Sequence, residues 1–384
     1  MRMDKRELKW EHMLAGITSQ SAYLRLGAAR QLYESASKLP FGRPSRVYLV
    51  GCGDSHYCGL ATRFAFERWS GIPTEALESL EFSRYAVESA PPDALVIAVS
   101  NSGRVARTVE CALFARRLGI ATLGLTYAAD SRLAQTASMV LPWTYEDVGF
   151  GPGTLSYLAS LVALYAVALR LAVEAGRLAS GEVAQHLGAI SATGDDVERT
   201  ITACRPAAEE LALAIQPTRA LSIIGGGPNY GTALFGMAKF IEAAAFNAVG
   251  QELEEWAHEQ YFCTGPGTHT LVIAAPGASA DRSREQLRAV RDVGGRAVAI
   301  CDSSDAETTS LADAVLPVIP ASNELLSPIV NAIPLELAAL AFAEHLGRTM
   351  LGFDDTRRQE VNFRQIFDSA IPGAGDSALT TGRA

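Results

Sequence analysis

The chain has 384 residues, of which 48% are hydrophobic and 20% are charged. This length is enough for two separate hydrophobic cores, because globular domains usually contain roughly 100–200 residues. The formal net charge of −9 argues against a nucleic-acid partner, since such partners select proteins with an excess of lysine and arginine.

The apolar segments do not predict a membrane span. A span needs roughly 18 consecutive apolar residues, and the nearest candidate, Ser156–Val173, contains Tyr157, Tyr165 and Arg170. That segment follows a Pro-Gly turn and is predicted to be a helix of the core. The N-terminus has six charged residues among its first nine and no apolar stretch of the kind found in signal peptides. We therefore expect a cytoplasmic protein without a membrane partner.

The six cysteines are scattered without the CxxC spacing of zinc or redox sites. Most have apolar neighbours in the sequence, which favours buried free thiols over disulfides or zinc ligands. We therefore expect neither a metal nor an organic cofactor.

Changes in composition divide the chain into four parts. A charged, amphipathic helical pattern runs from Lys5 to about Leu39 and ends in a turn rich in proline and glycine. Two α/β units follow, joined by a helical bridge from Ala175 to about Ala203. The predicted parts are a helical lead (1–43), a first domain with its bridging helices (44–203), a second domain (204–351) and a polar C-terminal tail (352–384). We expect at least the last dozen residues of the tail to be loose.

Two turns of the first unit place glycine and hydroxyl side chains at the ends of apolar strands. Val47–Gly51 and Leu95–Val99 are predicted to be buried strands, and Cys52–Ser55 and Ser100–Gly103 follow them and lead into helical patterns. Helix N-termini carry unpaired N–H groups and a partial positive charge, and two that converge at the carboxyl edge of a parallel sheet would hold an anion. The pattern predicts a phosphate-like site. The alternative is that the serines only cap helices.

The second unit repeats the first at an offset of about 175 residues. For example, Val47–Gly53 matches Leu221–Gly227, including both glycines of the turn. An offset of this size indicates duplication of a whole domain rather than a solenoid repeat. The hydroxyl-rich turn Ser100–Gly103 becomes Pro276–Ser279 in the second copy, so only the first unit is predicted to bind the anion.

The helical pattern Ala233–Phe246 carries the candidate catalytic groups. Lys239 and Glu242 lie three residues apart on one face of a largely apolar helix. Burial disfavours the charged form of a carboxyl group, which prepares Glu242 as a base for removing a proton next to a carbonyl. His258 follows sixteen residues later among acidic residues, where an imidazole would shuttle a proton to a sugar ring oxygen. The simpler alternatives are an i,i+3 salt bridge for the pair and a structural role for the histidine.

With these motifs, the two units resemble sugar isomerase (SIS) domains. Together they resemble the isomerase half of glucosamine-6-phosphate synthase and its relatives, the fructosamine-6-phosphate deglycases and deaminases. The likeness covers roughly Arg46 to Arg358 and implies two doubly wound, flavodoxin-like parallel-sheet domains of the α/β class. It places Glu242 on the family's proton-transferring glutamate, His258 on its ring-opening histidine and Lys239 on a lysine one helical turn before the glutamate.

The resemblance also implies binding residues and a partner. Ser100 and Ser102 fall on phosphate-binding serines, and Asp54 and Ser55 fall on a Thr-Ser pair that lines the sugar site. Such enzymes build the pocket across a dimer, with the histidine entering from the neighbouring subunit, which implies a homodimer with shared active sites. The predicted substrate- and phosphate-binding residues are Gly53, Asp54, Ser55, Ser100, Asn101, Ser102 and Arg104.

The chain departs from the family pattern at three places. Arg104 and Val105 stand where the family has an acidic or polar residue and a threonine, so the anion is a phosphate or another acidic group that a guanidinium binds. Asp54 replaces a hydroxyl residue and is expected to accept a sugar hydroxyl or to cap the next helix. The family's C-terminal lysine is missing and no glutaminase domain precedes the first unit, so we expect no glutamine-dependent amination.

The leading hypothesis is aldose–ketose chemistry on an open-chain phosphorylated sugar or amino-sugar conjugate. His258 would help to open the ring, and Glu242 would move a proton between C1 and C2. A substrate that carries an amine would release it after the same steps, which would make the enzyme a deglycase or deaminase rather than an isomerase. The alternative is a non-catalytic sugar-phosphate-binding regulatory protein. A Rossmann oxidoreductase is disfavoured, because neither glycine turn has the third glycine of GxGxxG.

Overall fold

The computed structural model describes residues 8–215 and 221–373. Within them, ten strands form two sheets: β1 (Val47–Gly51), β2 (Thr74–Glu78), β3 (Leu95–Val99), β4 (Ala121–Thr126) and β5 (Met139–Pro142), then β6 (Leu221–Gly225), β7 (Ala248–Glu252), β8 (His269–Ile273), β9 (Arg296–Cys301) and β10 (Ala314–Pro317). The α-helices of the same residues are α1 (Trp10–Arg25), α2 (Ala28–Ala36), α3 (Asp54–Ser70), α4 (Ser79–Glu81), α5 (Ala106–Arg117), α6 (Arg132–Thr136), α7 (Leu155–Glu174), α8 (Ser180–Ala214), α9 (Pro228–Ala244), α10 (Glu255–His258), α11 (Ala280–Asp292), α12 (Ala306–Thr309), α13 (Ser327–Leu346) and α14 (Thr356–Phe367).

Both sheets are parallel and have the same strand order. Counted from one edge, it is β2-β1-β3-β4-β5 in the first domain and β7-β6-β8-β9-β10 in the second. The register also repeats, with Val47 opposite Leu95 in one sheet and Leu221 opposite His269 in the other. This order confirms the predicted pair of doubly wound α/β domains. It also creates a switch point at the carboxyl ends of β1 and β3, where sheets of this kind bind ligands.

The central strands are buried along their whole length because helices cover both faces of each sheet. Every residue of β1, β3, β6 and β8 is buried, which is typical of parallel sheets. The turn after the first strand of each sheet is also the same. Gly53 has φ 54° and ψ −129°, and Gly227 has φ 56° and ψ −126°. Only glycine adopts such a conformation readily, so the repeat in the sequence corresponds to a repeat of the backbone.

One hydrophobic cluster extends across both domains, in addition to a smaller cluster in each. Helix α3 of the first domain packs against α9 of the second, and a single cluster of buried side chains contains residues of both. The contact is close because Gly231 has no side chain: a Cβ there would lie 2.5 Å from the backbone oxygen of Tyr57. The start of α3 is thereby fixed beside the C-terminal half of α9, which carries the candidate catalytic pair.

Two helices are long and apolar enough to cross a membrane by length and composition alone, Leu155–Glu174 and Glu324–Leu346. The protein itself buries 83% and 94% of their most apolar windows. The prediction of a core helix at Ser156–Val173 is therefore confirmed, and the second such helix is one that sequence analysis did not single out.

The helical bridge extends to Ala214 rather than ending near Ala203. Pro206 lies inside α8, where a proline removes one backbone hydrogen bond. The helix continues across it because Ala208, Leu211 and Ala212 are buried. In the C-terminal tail, α14 is capped by Asp355, which accepts from Arg357 N and Arg358 N. Most of the expected loose end, from residue 374 on, lies outside the described residues.

All six cysteines are free, as the sequence predicts. Four of them are buried, but Cys52 and Cys263 are exposed. Cys52 lies in the glycine turn after β1, and Cys263 ends a short 3₁₀ segment, so their apolar sequence neighbours do not cover them.

Candidate active site at the domain interface

Lys239 is the centre of an ion-paired cluster that joins the two domains. Its side chain is 0% exposed. The Nζ atom donates to Asp54 Oδ2 at 2.8 Å, to Glu242 Oε2 at 2.6 Å and to the backbone oxygen of Gly153 at 3.1 Å. An ammonium group has three N–H donors, so these contacts use all of them. The pair on α9 is therefore more than the surface salt bridge that its spacing alone suggests.

The charges in this cluster shift the pKa values of its members. Burial by itself lowers the pKa of Lys239, but the carboxylates of Asp54 and Glu242 outweigh that effect and the pKa lies above its ordinary value. Burial raises the pKa of Glu242, as does the charge of Asp54, while Lys239 opposes both. Because the Glu242 side chain is still 33% exposed, the carboxyl group combines access for a ligand with a raised pKa, which suits a general base.

The sequence suggests that Asp54 either accepts a sugar hydroxyl or caps the helix that follows. The second expectation is wrong, because Asp54 does not cap α3. Gly53 occupies the N-cap position, and no side chain caps this helix. Asp54 is instead the first residue of the helix, and its side chain reaches Lys239. Its second oxygen, Oδ1, is buried and has no hydrogen-bond partner in the part of the chain that the structure describes. Gly53 is exposed and Ser55 is half-buried at the same turn.

The turn after β3, Ser100–Gly103, is the predicted anion-binding turn and is called the anion turn below. It contains a buried hydroxyl that makes no hydrogen bond with the described residues. Ser100 is 1% exposed, and its Oγ atom has no hydrogen-bond partner among the described residues. Ser102 Oγ accepts from Arg104 N at 3.3 Å, and Asn101 Oδ1 accepts from the Tyr145 hydroxyl at 3.0 Å. The helix that follows has Val105 as its N-cap and no side-chain cap. The alternative that these serines are ordinary helix caps is therefore wrong.

Arg104 lies against the C-terminal tail. Its guanidinium carbon is 4.7 Å from the centroid of the Phe367 ring in α14. A ring on one face of a guanidinium leaves the N–H groups in its plane available to an anion. The tail also contacts the glycine loop before α7, which comprises residues 149–153. Phe150 of this loop stacks on Phe353 of the tail, with ring centroids 6.4 Å apart.

His258 does not meet Glu242 within one chain. It ends α10, its side chain is 68% exposed, and its Nε2 atom is 3.7 Å from Glu254. Helix α10 follows the carboxyl end of β7, whereas Glu242 is near the end of α9 that leads into β7. Five strand residues and the following turn separate the two positions by roughly 20 Å. The structure thus assembles Lys239, Glu242 and Asp54 but not the predicted histidine.

A cavity of about 240 Å³ lies beside these groups. Its lining includes His12, Asn101, Tyr127, Tyr145, Gly153 and Ser156. Tyr145 connects it to the anion turn through Asn101, and Gly153 connects it to the ion-paired cluster through Lys239. Sequence analysis missed these tyrosines because no motif surrounds them; only the fold brings them to the turn.

Glu336 is a further buried carboxyl group that sequence analysis missed. It lies on α13 with 0% exposure and accepts a 2.6 Å hydrogen bond from Gln20 Nε2 of α1. Burial raises the pKa of Glu336 to about 8, with Lys239 and Asp54 acting on it electrostatically in opposite directions. One sequence feature could have identified it as a buried carboxyl group: Glu336 is the only charged residue in the apolar stretch Ile329–Phe342.

The counterpart of the anion turn in the second domain is blocked by the chain itself. Glu324 Oε1 accepts a 3.1 Å hydrogen bond from the backbone N–H of Ala278. The carboxylate is so close that a Cβ on Gly277 would lie 2.2 Å from Glu324 Cδ. An internal carboxylate thus holds a turn that has proline and alanine at the positions of Ser100 and Ser102. Among the described residues, no group of three His, Cys, Asp or Glu side chains is arranged to hold a metal ion.

Comparison with known families gives a match to the SIS domain over residues 42–170 and 214–345. The chain belongs to the SIS domain family. The first matched segment contains β1–β5 and the second contains β6–β10, so each sheet of this SIS protein lies in one copy of the domain. The resemblance drawn from the sequence is confirmed.

The curated relatives of the SIS protein include isomerizing glutamine–fructose-6-phosphate aminotransferases. The one from Gloeobacter violaceus is 28% identical over 342 residues, which are 88% of this chain and 56% of the relative. The one from Mycobacterium tuberculosis is 29% identical over 307 residues, which are 79% of this chain and 49% of the relative. The SIS protein therefore spans about half the length of the curated relatives it matches.

Solved structures share the fold of the SIS protein. The C-terminal domain of glucosamine-fructose-6-phosphate aminotransferase from Francisella tularensis has a TM-score of 0.78 at 18% identity, covering 88% of this chain and 97% of that one. Glucosamine-6-phosphate deaminase from Thermotoga maritima has a TM-score of 0.70 at 17% identity, covering 88% and 96%. Tagatose-6-phosphate ketose/aldose isomerase from Escherichia coli has a TM-score of 0.70 at 18% identity, covering 90% and 95%.

Proposed function

We propose that the protein is a phosphosugar aldose–ketose isomerase or an amino-sugar phosphate deglycase or deaminase, in which Glu242 transfers a proton between C1 and C2. The observation that carries this proposal is the partly exposed Glu242 carboxyl group, held 2.6 Å from a buried lysine at the junction of two domains. Membership of the SIS family and the fold shared with an isomerase and a deaminase support it.

The anionic end of the substrate binds at the turn after β3. Ser100 offers a hydroxyl that has no hydrogen-bond partner among the described residues, and the N-terminus of α5 lies just beyond the turn. Ser102 and the Arg104 guanidinium add further donors for phosphate oxygens. Asn101 is already engaged by Tyr145 and so holds the shape of the turn.

The reacting carbons lie near Glu242. A carboxylate with a raised pKa removes the proton next to the carbonyl and returns it to the neighbouring carbon, so that a ketose and an aldose interconvert. Lys239 keeps its charge, orients the carboxylate and binds it to Asp54 of the other domain. A substrate with an amine at one of these carbons passes through an enaminol by the same proton transfer and becomes an imine at the carbon that carries the nitrogen. Water then adds to this imine and the C–N bond breaks, which gives the carbonyl sugar and the free amine.

A second copy of the chain completes the site with His258. The imidazole is exposed and roughly 20 Å from Glu242 of its own chain, so a ring-opening role requires Glu242 of another subunit. The exposed ring of Phe262, 77% accessible four residues beyond the histidine, gives this segment an apolar side chain with which to contact a partner. We propose a homodimer with two shared active sites.

The test is turnover of defined substrates by the purified protein. Fructosamine 6-phosphates, amino-sugar 6-phosphates and hexose 6-phosphates without an amine are supplied separately. Amine release and ketose–aldose exchange are measured by independent assays. Turnover of any of them, abolished in Glu242→Gln, supports the proposal. Tight binding without any turnover would instead make the protein a sugar-phosphate-binding regulator.

A further inference from the structure

Asp54 carries a carboxylate oxygen that the protein leaves unused inside the proposed site. Oδ2 is bound to Lys239 Nζ at 2.8 Å, while Oδ1 is buried and has no hydrogen-bond partner among the described residues. An unpaired buried carboxylate oxygen is costly. A ligand that donates a hydrogen bond to it would remove that cost.

The charges around Asp54 do not balance. Lys239 is the only cation within ion-pair distance of Asp54 and Glu242 in the described part of the chain. Its third N–H is taken by the backbone oxygen of Gly153 at 3.1 Å, so it has no donor left for a ligand. Two carboxylates therefore face one ammonium, and one negative charge remains in the cluster when both are ionised.

A protonated amine on the substrate supplies the missing positive charge. A hydroxyl and an ammonium both make a charge-assisted hydrogen bond to a carboxylate, but the ammonium adds the attraction between two full charges, so Asp54 Oδ1 gains more from an ammonium than from a hydroxyl. Gly153 packs against this carboxylate without a side chain. A Cβ there would lie 2.9 Å from Asp54 Oδ2, so any larger residue would crowd the carboxylate.

We infer that Asp54 is the specificity-determining residue that selects phosphorylated sugars with an amine at C1 or C2 over their neutral hydroxyl counterparts. This inference rests on the proposed function, because it takes the carbons next to Glu242 as the reacting ones. It narrows the substrate class to amino-sugar and fructosamine phosphates, and it makes amine release the main reaction.

The experiment uses open-chain sugar alcohols, which bind without reacting because they have no carbonyl. The ligands are 1-amino-1-deoxyglucitol 6-phosphate, 2-amino-2-deoxyglucitol 6-phosphate and glucitol 6-phosphate, and their Kd values are measured by calorimetry on the full chain. For the wild type, at least one amine is expected to bind 10- to 100-fold more tightly than glucitol 6-phosphate, on the order expected for a charged hydrogen bond. The amine with the larger preference shows which carbon carries it.

Asp54→Asn is expected to reduce the preference to about 3-fold or less, since the amide keeps the shape but not the charge. Asp54→Ser, which restores the hydroxyl of the family pattern, should behave in the same way and serves if the first variant does not fold. Asp130→Asn removes the same charge from an exposed site of the same domain and should leave the preference unchanged.

The outcomes separate this inference from the function on which it rests. If the wild type binds all three alcohols equally, or if Asp54→Asn keeps the full preference for an amine, the inference is wrong while the proposed site stands. If none of the three alcohols binds, both are wrong.

Discussion

Lys239 Nζ lies 2.8 Å from Asp54 Oδ2, and this ion pair connects the second domain to the first turn of a helix in the other. The bond depends on the close crossing of α3 and α9, which Gly231 permits. The residue that orients the proposed base therefore also holds the two domains together, so its loss should affect stability and turnover alike.

Replacing Lys239 with methionine leaves the carboxylates of Asp54 and Glu242 facing each other without a cation. Breaking a buried ion pair costs about 3–5 kcal/mol. Because the two carboxylates are 25% and 33% exposed, solvent screening reduces the expected loss of unfolding free energy to about 2–3 kcal/mol. Denaturant titration measures it. Lys38→Met, at an exposed position, should change stability by less than about 0.5 kcal/mol, and an equally small effect at Lys239 would contradict the ion-pair account.

Glu242→Gln should abolish proton transfer and keep substrate binding. Removal of a general base typically lowers kcat on the order of 10²- to 10⁴-fold, while the amide still accepts a hydrogen bond from Lys239. Single-turnover rates and the thermal shift caused by a sugar phosphate measure the two properties. A parallel loss of turnover and thermal shift would show that Glu242 binds the substrate rather than moving its proton.

Ser100→Ala and Ser102→Ala should weaken binding of phosphorylated substrates only. Loss of one hydrogen bond to a charged oxygen raises KM on the order of 10-fold, and an unphosphorylated analogue should be unaffected. Since no described residue forms a hydrogen bond with Ser100 Oγ, its removal should not lower the melting temperature. Ser279→Ala, at the equivalent turn of the second domain, is the matched control. The same KM change for both substrates would show that no phosphate contacts these serines.

Glu336 should make the protein less stable as the pH rises. Its pKa is raised from 4.5 to about 8 in the folded state by burial, so between these values the native state binds the proton and the unfolded state does not. Unfolding free energy then falls with increasing pH until the pH passes the folded-state value. Glu336→Gln imitates the protonated form and should be more stable than the wild type by about 2–4 kcal/mol at pH 8, with no advantage at pH 4.

The matched control for Glu336 is Glu34→Gln on an exposed face of α2, which should track the wild type at every pH. Denaturant titrations at several pH values supply the comparison. A stability difference between Glu336→Gln and the wild type that does not change with pH would show that the carboxyl group is not protonated in the folded protein.

Mixing two inactive variants tests the shared site. If Glu242 acts with His258 of the partner subunit, a mixed dimer of Glu242→Gln and His258→Ala has one site with both changes and one intact site. Random exchange of subunits should then restore about one quarter of wild-type activity. No recovery after verified subunit exchange would place both residues of a working site in the same chain.

Patterns along the chain are sufficient to predict the two sheets and part of the candidate site. Apolar runs such as Leu95–Val99 and the repeated glycine turns predict parallel strands and a duplication, because those features depend on local sequence. The spacing of Lys239 and Glu242 places both on one helical face. The partner of Asp54 was not predictable, since it is set by how two helices cross.

The remaining site residues depend on packing between distant elements. Tyr145 reaches Asn101, and Gln20 reaches Glu336, across 44 and 316 residues of chain respectively. Neither pair has a local signature. The burial of Glu336 follows from its apolar neighbours, but its hydrogen-bond donor on α1 follows only from the three-dimensional arrangement.

The carboxylate of Glu324 at the backbone N–H of Ala278 has a consequence for stoichiometry. The side chain of Glu324 occupies the second copy of the anion turn. Duplication of the domain therefore added a second sheet but no second site for an anionic ligand. A titration that counts bound molecules should therefore saturate at one sugar phosphate per polypeptide, and Glu324→Ala would vacate a turn that has proline and alanine at the positions of Ser100 and Ser102.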